Sequence, residues 1–235
     1  MARTLDPVVH TIKREAFVDA AQRLITQKGY EQMSIQDLLD ELEASRGAFY
    51  HYFDSKQALL EAVIERMVDA GLAAVAPIVE DPHLTALEKL TGVFGGIGRW
   101  KTDRKALVLS ILEVWISDEN AIVREKFRRG LAGRLLPSLS TIVEQGTGEG
   151  VFSVRSPVAT AQVMLMLLLG FQEVATDLFI ARQANSVTYE EVVRNLASYT
   201  DAFECILGAP TGAIDIVDQA VMREWFGGEA ESEEA

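Results

Sequence analysis

The sequence contains little of what several protein classes require. Its 235 residues include one cysteine, six prolines and 17 glycines. A single cysteine, Cys205, excludes an internal disulfide and a multi-cysteine zinc site, and the low proline and glycine content excludes collagen-like and low-complexity chains. Basic residues are also few, 22 against 35 acidic residues, which gives a formal net charge of −13. This charge argues against a nucleic-acid coat protein or a polybasic membrane binder, although it is compatible with a local basic face.

The sequence does have the apolar content of a globular protein. Hydrophobic residues make up 49% of the chain and charged residues 24%, and the length allows one or two domains. The longest apolar run, VMLMLLLGF at residues 163–171, is shorter than the roughly 20 residues of a membrane-spanning helix. We therefore expect a helix buried all round, in a core or a subunit interface, and no membrane partner. The start of the chain, interrupted by Arg3 and Asp6, has no secretory pattern, which predicts a cytoplasmic protein.

Apolar residues recur with a helical period along nearly the whole chain, which predicts an all-α fold without strands. Gly29 is expected to end the first helix, and Ser34 with Asp37 forms a capping box for the second. A long fourth helix should begin at Asp54 or Ser55. The remaining predicted boundaries are an end of that helix at Pro77, a helix opened by Asp81-Pro82, helices at about 103–117 and 120–145 with a kink at Pro137, a loop at 146–150, and helices at 157–183, 187–207 and 212–226.

Residues 34–56 read SIQDLLDELEASRGAFYHYFDSK and predict two short helices joined by a tight turn. The second helix, capped by Ser45, is too short to be a packing element, which is typical of a helix–turn–helix. Arg46 would project from its first turn, where a guanidinium can bind O6 and N7 of guanine. Gly47 and Ala48 have almost no side chain, which lets the backbone approach closely. This helix is therefore predicted to enter the major groove of DNA.

The aromatic residues that follow are expected to divide between a core face and a DNA face. Phe49 and Phe53 lie four residues apart and should face the core, which leaves Tyr50 and His51 pointing outward. Lys56, in the first turn of the next helix, adds a cation that suits a backbone phosphate. Ser34, at the start of the second helix, offers a hydroxyl for the same purpose.

These residues carry a close resemblance to a known family. The segment ASRGAFYHYFDSKQALLEAV resembles the signature of the tetracycline-repressor (TetR) family of transcriptional regulators, and the similarity covers about residues 11–72. Five positions fall where the pattern of that family puts them: Gly47, Tyr50, Phe53, Lys56 and Leu59. The rest of the chain matches the family only in its helix rhythm.

The resemblance implies a three-helix DNA-binding domain, a long fourth helix and a helical domain for ligand binding and dimerisation. In such proteins the residues corresponding to Ser34, Ser45, Arg46, Gly47, Tyr50, His51 and Lys56 commonly contact operator DNA. Glu43 stands in the turn where the family usually has glycine, and Leu39 stands where it prefers alanine. We accordingly expect a DNA-binding domain at 1–54, an effector-binding and dimerisation domain at 55–228, and an acidic disordered tail at 229–235.

The sequence predicts a homodimer that responds to a small apolar effector, most simply a repressor that binds a palindromic operator. The effector pocket is expected among the helices that follow residue 60, lined by Met67, Phe94, Glu113, Trp115, Met164 and Phe171. The dimer interface is expected on the helices near 158–183 and 188–207, with the residues Leu165, Leu168, Leu169, Val174, Leu196, Tyr199 and Phe203. Cys205 lies there too and is interpreted as buried filler.

An enzyme is the main alternative of a different class. Tyr52 and Lys56 have the YxxxK spacing of short-chain dehydrogenases, but no strand–glycine–helix unit precedes them. There is no GxSxG, HExxH or Walker motif, and three scattered histidines do not form a metal cluster. The sequence therefore predicts no enzymatic activity, no cofactor and no metal. An enzyme, or an interaction protein that reuses the helical fold without DNA, stays open as the alternative.

Overall fold

The computed structural model describes residues 7–227, and the predicted acidic tail at 229–235 lies outside them. No strand occurs between residues 7 and 227, in agreement with the predicted all-α class. A short 3₁₀ turn at Asp118–Asn120 precedes the seventh helix. The helices are α1 (Pro7–Lys28), α2 (Ile35–Glu41), α3 (Arg46–Tyr52), α4 (Lys56–Glu80), α5 (Ala86–Thr102), α6 (Lys105–Ile116), α7 (Ala121–Glu149), α8 (Pro157–Gln183), α9 (Tyr189–Leu207) and α10 (Gln219–Phe226).

The chain forms two compact units, and each unit combines two segments that are separate in the sequence. Unit 1 consists of Met1–Ala70 and Arg104–Phe127, and unit 2 of Gly71–Asp103 and Arg128–Ala235. Helix α6 thus packs with the N-terminal helices, and α4 begins in unit 1 and ends in unit 2. The predicted boundary between residues 54 and 55 divides the chain by function and stays a prediction, since the compact units divide it by packing.

The core of unit 1 holds the three N-terminal helices against α4 and α6. Ile25 on α1, Leu38 on α2 and Phe49 on α3 are completely shielded from solvent, as are Leu59 and Leu60 on α4. Each additional buried Leu or Phe contributes about 1.5–3 kcal/mol. The short helices α2 and α3, which would be marginal alone, are therefore stabilised by burial of one face each.

Unit 2 depends on close approach between its helices. A Cβ atom on Gly96 of α5 would lie 2.9 Å from Cγ1 of Val75 on α4. On α7, a Cβ atom on Gly146 would lie 2.1 Å from a ring carbon of Phe152. These two positions require glycine for space, because a larger side chain would push the facing element away.

Several predicted boundaries in unit 2 are wrong. Helix α4 continues through Pro77 to Glu80. The proline removes one helical hydrogen bond, but burial of the nearby Val75 in the core keeps the helix in place. Helix α5 does not open at Asp81-Pro82. It begins after Thr85, whose capping box with Glu88 satisfies two backbone N–H groups at once.

The predicted loop at 146–150 is also wrong, because α7 extends to Glu149. The Glu149 carboxylate accepts hydrogen bonds from the Ala86 backbone N–H at 3.0 Å and from Gln145 Nε2 at 2.6 Å. Together with the packing of Phe152 on Gly146, these contacts hold the glycine-containing segment in helical form. Only Gly150, with φ of 75°, leaves the helix.

Helix α8 is covered on one side only. Met164 and Leu165 are buried in unit 2, whereas Val163 and Met166 are 49% and 53% exposed. The expected burial of this helix on all sides is therefore not met within one chain. By length and composition alone, α8 is apolar enough to cross a membrane, a test that core helices of soluble proteins also pass.

Candidate nucleic-acid interface

The second and third helices are set by local hydrogen bonds, as the sequence predicts. Ser34 Oγ accepts the Asp37 backbone N–H at 3.1 Å, and the Asp37 carboxylate accepts the Ser34 N–H at 2.7 Å, which completes the capping box. Ser45 caps α3 by accepting the Ala48 N–H at 3.2 Å. Between the helices, Glu43 adopts a left-handed conformation with φ of 50°. A non-glycine residue costs roughly 1 kcal/mol there, so the turn keeps its geometry at a small loss of stability.

The inner face of α3 is anchored by aromatic residues. Phe49 and Phe53 are buried, as expected, and the Phe49 ring lies edge-on to Phe17 of α1 with 5.7 Å between centroids. The Arg14 guanidinium lies 5.1 Å from the centroid of Phe53. Leu39, at the contact between α2 and α3, is buried without displacing either aromatic ring from the core. The opposite face of α3 is consequently held outward.

Four of the residues predicted to contact DNA, which are Arg46, Gly47, Tyr50 and His51, lie on that outer face. Arg46 and Gly47 are exposed at the start of α3, and Tyr50 is 48% exposed. Among the hydrogen bonds and ion pairs of residues 7–227, none engages the Arg46 guanidinium. His51 is exposed as well. Arg46, Tyr50 and His51 thus share the outer face of α3, and their contacts with bases and phosphates stay predictions.

His51 has neighbours that sequence reasoning missed. Its ring lies 5.4 Å from His10 of α1 and 4.9 Å from Tyr52, and the rings of His10 and Tyr52 are 4.8 Å apart, all between centroids. The three rings form a cluster at the start of α1 and the end of α3. Only the helical phase of α1 relative to α3 brings His10 there, and no motif in the sequence signals it.

Lys56 is less free than the sequence predicts. Its Nζ lies 4.2 Å from the centroid of the Tyr30 ring and donates a hydrogen bond to the Glu31 carbonyl at 3.3 Å. Desolvation lowers the pKa of Lys56, and the carboxylates of Glu31 and Asp37 act in the opposite direction. The ammonium is therefore held in one place beside the start of α2 and α4.

Two acidic residues of this region, Asp37 and Glu41, are paired with cations within unit 1. Lys28 Nζ lies 2.7 Å from the Asp37 carboxylate, and Arg23 Nη2 lies 2.6 Å from that of Glu41. The hydrogen bond from Lys28, followed by those from Ser34, holds the pKa of Asp37 well below its usual range. Ser34 Oγ donates to this same carboxylate at 2.7 Å. A phosphate contact by Ser34 must therefore compete with Asp37, whereas Ser45 Oγ acts only as an acceptor in its cap within the described residues.

The predicted pocket residues are not gathered in one place. Met67 and Trp115 belong to unit 1, where the Trp115 ring packs on Phe127 with 4.7 Å between centroids. Glu113, also in unit 1, is exposed. Three belong to unit 2: Phe94, which packs on Phe203, Met164, which is buried, and Phe171, which packs on Tyr199. Their role as a pocket lining stays a prediction.

The predicted interface residues divide between buried and half-buried positions. Leu165, Leu169, Leu196 and Phe203 are buried in the chain's own core, so they stabilise the single chain. Leu168, Val174 and Tyr199 are half-buried. The sequence reasoning missed the apolar residues of this region that do face outward, which are Val158, Val163, Met166 and Ile180 on α8 and Val193 on α9. Cys205 is exposed, so its interpretation as buried filler is wrong for the single chain.

Comparison with known proteins agrees with this geometry. Residues 17–63 match the family described as bacterial regulatory proteins, tetR family. An uncharacterised HTH-type transcriptional regulator of Bacillus subtilis, YuxN, is 27% identical over 166 residues, which cover 68% of this chain and 56% of that protein. The HTH-type transcriptional repressor DhaR of a Mycobacterium species is 24% identical over 73% of this chain and 81% of its own length.

A solved structure shows the same fold. A TetR transcription regulator from Haloarcula marismortui superposes with a TM-score of 0.60 at 18% identity and covers 84% of this chain and 97% of its own. The chain spans just over half the length of the Bacillus relative that it matches. The capped α2–α3 turn and the outward-facing α3 agree with these matches, in which residues 17–63 carry the pattern of the tetR family of bacterial regulatory proteins.

Proposed function

We propose that the protein is a homodimeric transcriptional repressor that binds a palindromic operator and is released from it by a small apolar effector. The observation that carries this proposal is the exposed guanidinium of Arg46 on the first position of α3, whose inner face is anchored by Phe49. A rigid helix with an outward arginine is suited to reading guanine in the major groove. Tyr50, His51 and Lys56 serve as phosphate contacts, and Ser34, Ser45 and Gly47 allow close approach of the backbone.

The direct experiment is an electrophoretic mobility shift on the DNA upstream of the protein's own gene, followed by footprinting. We expect a protected palindrome whose half-sites lie about 34–36 Å apart, or a multiple of that distance. Arg46→Ala should lose the preference for this site over random DNA. Failure of the unchanged protein to bind any upstream DNA would favour an interaction protein that reuses the helical fold.

The exposed apolar face of α8 supports the dimer. Val158, Val163, Met166 and Ile180 lie on one side of the helix by its period of 3.6 residues, and all are at least 37% exposed. The exposed polar residues Gln162, Glu173 and Asp177 share this side, and such a mixture of apolar and polar residues suits an interface. The interface that we propose therefore uses this face together with Val193 of α9, and the buried leucines predicted from the sequence support it from behind.

Charge on that face should separate the subunits. Met166→Glu would place a carboxylate beside its symmetry mate in an isologous contact, where an unpaired buried charge is costly. We expect a monomer by sedimentation and loss of operator binding. Ile122→Glu is the matched control, since Ile122 is 65% exposed on another helix and its change should leave a dimer. A dimeric Met166→Glu variant with intact operator binding would locate the interface elsewhere.

Helix α4 supports the induction part of the proposal. It starts at Lys56 beside the proposed DNA contacts and runs to Glu80 in unit 2. Within unit 1, Arg66 of α4 binds the side chains of Asp19 and Gln22 on α1 and donates to the Val18 carbonyl at 3.3 Å. A tilt of α4 caused by an effector would carry α1 with it. Linkage then requires effector and operator to weaken each other by the same factor.

The protein is proposed to work in the cytoplasm, without a cofactor, a metal or an enzymatic activity. Reciprocal titration tests the induction: an effector found by thermal-shift screening is titrated with and without operator DNA. Typical couplings of about 1–3 kcal/mol change affinity roughly 5–150-fold. Equal affinity in both titrations would contradict induction while leaving operator binding intact.

A further inference from the structure

Lys101 lies inside unit 2, in the last turn of α5. Its side chain is half-buried, and its Nζ donates a hydrogen bond to the side-chain oxygen of Gln172 on α8. Neighbours in the same turn pack on α10. Trp225 Nε1 donates to Thr102 Oγ1 at 2.8 Å, and the side chain of Val221 approaches the Cβ position of Gly98 to 3.2 Å. Lys101 therefore lies on α5, donates to α8 and belongs to a turn that packs on α10.

The charge of Lys101 is not balanced by the described part of the chain. Within residues 7–227 no carboxylate forms an ion pair with its Nζ, and its hydrogen-bond partner Gln172 is neutral. Burial alone lowers the pKa of Lys101 to about 8. A partly desolvated ammonium without an anion is costly to the fold.

Position at a helix end does not account for this lysine. A cation in the last turn of a helix is favoured by the helix dipole, but Arg99 in the same turn already supplies one. Arg99 is exposed, and its Nη1 lies 3.5 Å from the Asp218 carboxylate. The two cations of this turn thus differ: one is solvated and paired, and the other is turned inward and unpaired by charge.

Aromatic residues adjoin Lys101 and Gln172 along their helices. Phe171 precedes Gln172 on α8, and its ring packs edge-on against Tyr199 with 5.4 Å between centroids. On α5, Trp100 packs where a Cβ atom on Gly71 would be, with 3.7 Å to its nearest ring carbon. A molecule bound at this pair would meet one cation and one amide, with an aromatic residue next to each in the chain. This combination suits an apolar molecule that carries a single negative group, because a charge-assisted hydrogen bond is about twice as strong as a neutral one.

We propose that Lys101 and Gln172 form the polar end of an effector site in unit 2, and that the effector is an apolar small molecule with a carboxylate. This inference rests on the proposed function, since it names the chemical class of the effector that the regulator responds to. The lysine ammonium donates a hydrogen bond to the carboxylate of the effector, and the amide of Gln172 orients that carboxylate. Without the effector, the ammonium donates to Gln172 instead.

The test uses the full chain and matched pairs of probes. Hexanoate, decanoate, benzoate and naphthoate are each compared with the alcohol of the same carbon skeleton by calorimetry at pH 7. At least one acid should bind about tenfold more tightly than its alcohol, a difference of about 1.4 kcal/mol. The preference should fall at pH 9, where Lys101 with a pKa of about 8 has lost most of its charge.

Variants of the two cations in this turn separate a site from a general charge effect. Lys101→Met should remove the preference for the acid, Lys101→Arg should retain it, and Arg99→Met should leave it unchanged. The proposal is overturned if no acid is preferred over its alcohol, or if the preference survives in Lys101→Met while that variant is folded. Thermal unfolding of each variant checks the fold.

The acidic end of the chain is a second source of carboxylates, and one arm of the experiment distinguishes it. A chain ending at Gly227 lacks four glutamates, Glu229, Glu231, Glu233 and Glu234. We expect it to bind the acids as the full chain does. Acid binding that appears only after this truncation would identify the chain's own tail as the anion and would overturn a small-molecule effector.

A mobility shift with the operator separates this inference from the proposed function. Acid binding that depends on Lys101 but leaves the operator bound would retain the site and contradict induction by it. Operator binding without any preference for acids would retain the regulator and contradict the site.

Discussion

Two lysines, one in each compact unit, show how differently the units hold positive charge. Lys56 in unit 1 lies over the ring of Tyr30 and donates to the Glu31 carbonyl, with the carboxylates of Glu31 and Asp37 close enough to favour its charged form. Lys101 in unit 2 has no such compensation, and desolvation is the cause of its lowered pKa. Neighbouring groups of the chain thus stabilise the charge of Lys56 in unit 1. The charge in unit 2 is kept at a cost, which is typical of a functional site.

The largest expected effect tests the close packing around Gly146 in unit 2. Gly146→Ala would place a Cβ atom 2.1 Å from the Phe152 ring and 2.9 Å from Cβ of Ala86. We expect destabilisation of about 3 kcal/mol, at the upper end of ordinary overpacking, measured by urea unfolding. The control is Gly133→Ala on the same helix, where nothing lies within 4 Å and a gain of about 0.5–1 kcal/mol is expected. Equal stability of the two variants would show that unit 2 is not closely packed at this position.

The second effect concerns the outward cation of unit 1. Arg46→Ala should weaken operator binding by about 1–3 kcal/mol and relax specificity at one symmetric base pair. Binding to a set of operator variants measures both quantities. Arg155→Ala, another exposed arginine, should change neither. Equal losses on operator and random DNA would reduce Arg46 to a phosphate contact.

The third effect concerns the internal cation of unit 2. Lys101→Met removes an uncompensated charge, so we expect the free energy of unfolding at pH 7 to rise by about 1–2 kcal/mol, allowing for partial exposure. The folded-state pKa of about 8 lies below the ordinary 10.5. The unfolded chain therefore binds more protons than the folded chain between these two pH values. The loss of stability caused by the buried charge is complete below pH 8 and is relieved as pH rises toward 10.5. The advantage of the variant should shrink accordingly in denaturant melts at pH 7 and pH 10. A variant less stable than the unchanged protein at pH 7 would mean that Lys101 is compensated after all.

The smallest effect concerns Lys56. As a phosphate contact, its removal in Lys56→Ala should reduce the salt dependence of binding by about 1 per subunit, equally for operator and random DNA. Lys56→Arg should keep the slope. A slope that does not change in Lys56→Ala would mean that the ammonium serves the contact with Tyr30 and Glu31 and does not reach DNA.

The helix–turn–helix was predictable from the residues because its signals act over short distances. The caps at Ser34 and Ser45 and the left-handed Glu43 each depend on neighbours within a few residues, and the spacing of Phe49 and Phe53 alone puts both on one face of α3. Local hydrogen bonds and helical periodicity are encoded directly in the order of residue types. The all-α class follows from the same periodicity.

Most of the features that the residue order did not predict depend on contacts between helices that are far apart in the chain. The capping box of Thr85 with Glu88 is itself a local signal, which the interpretation of Asp81-Pro82 overlooked, whereas the end of α7 is held by the distant Ala86 N–H, which donates to Glu149. The proximity of His10 to His51, the unpaired charge of Lys101 and the exposed side of α8 likewise depend on the phase and packing of separate helices. An apolar residue at a helical period faces some partner, but its position in the chain does not say which one. Only the packed arrangement of the helices assigns it to the core of one chain or to the face that another molecule covers.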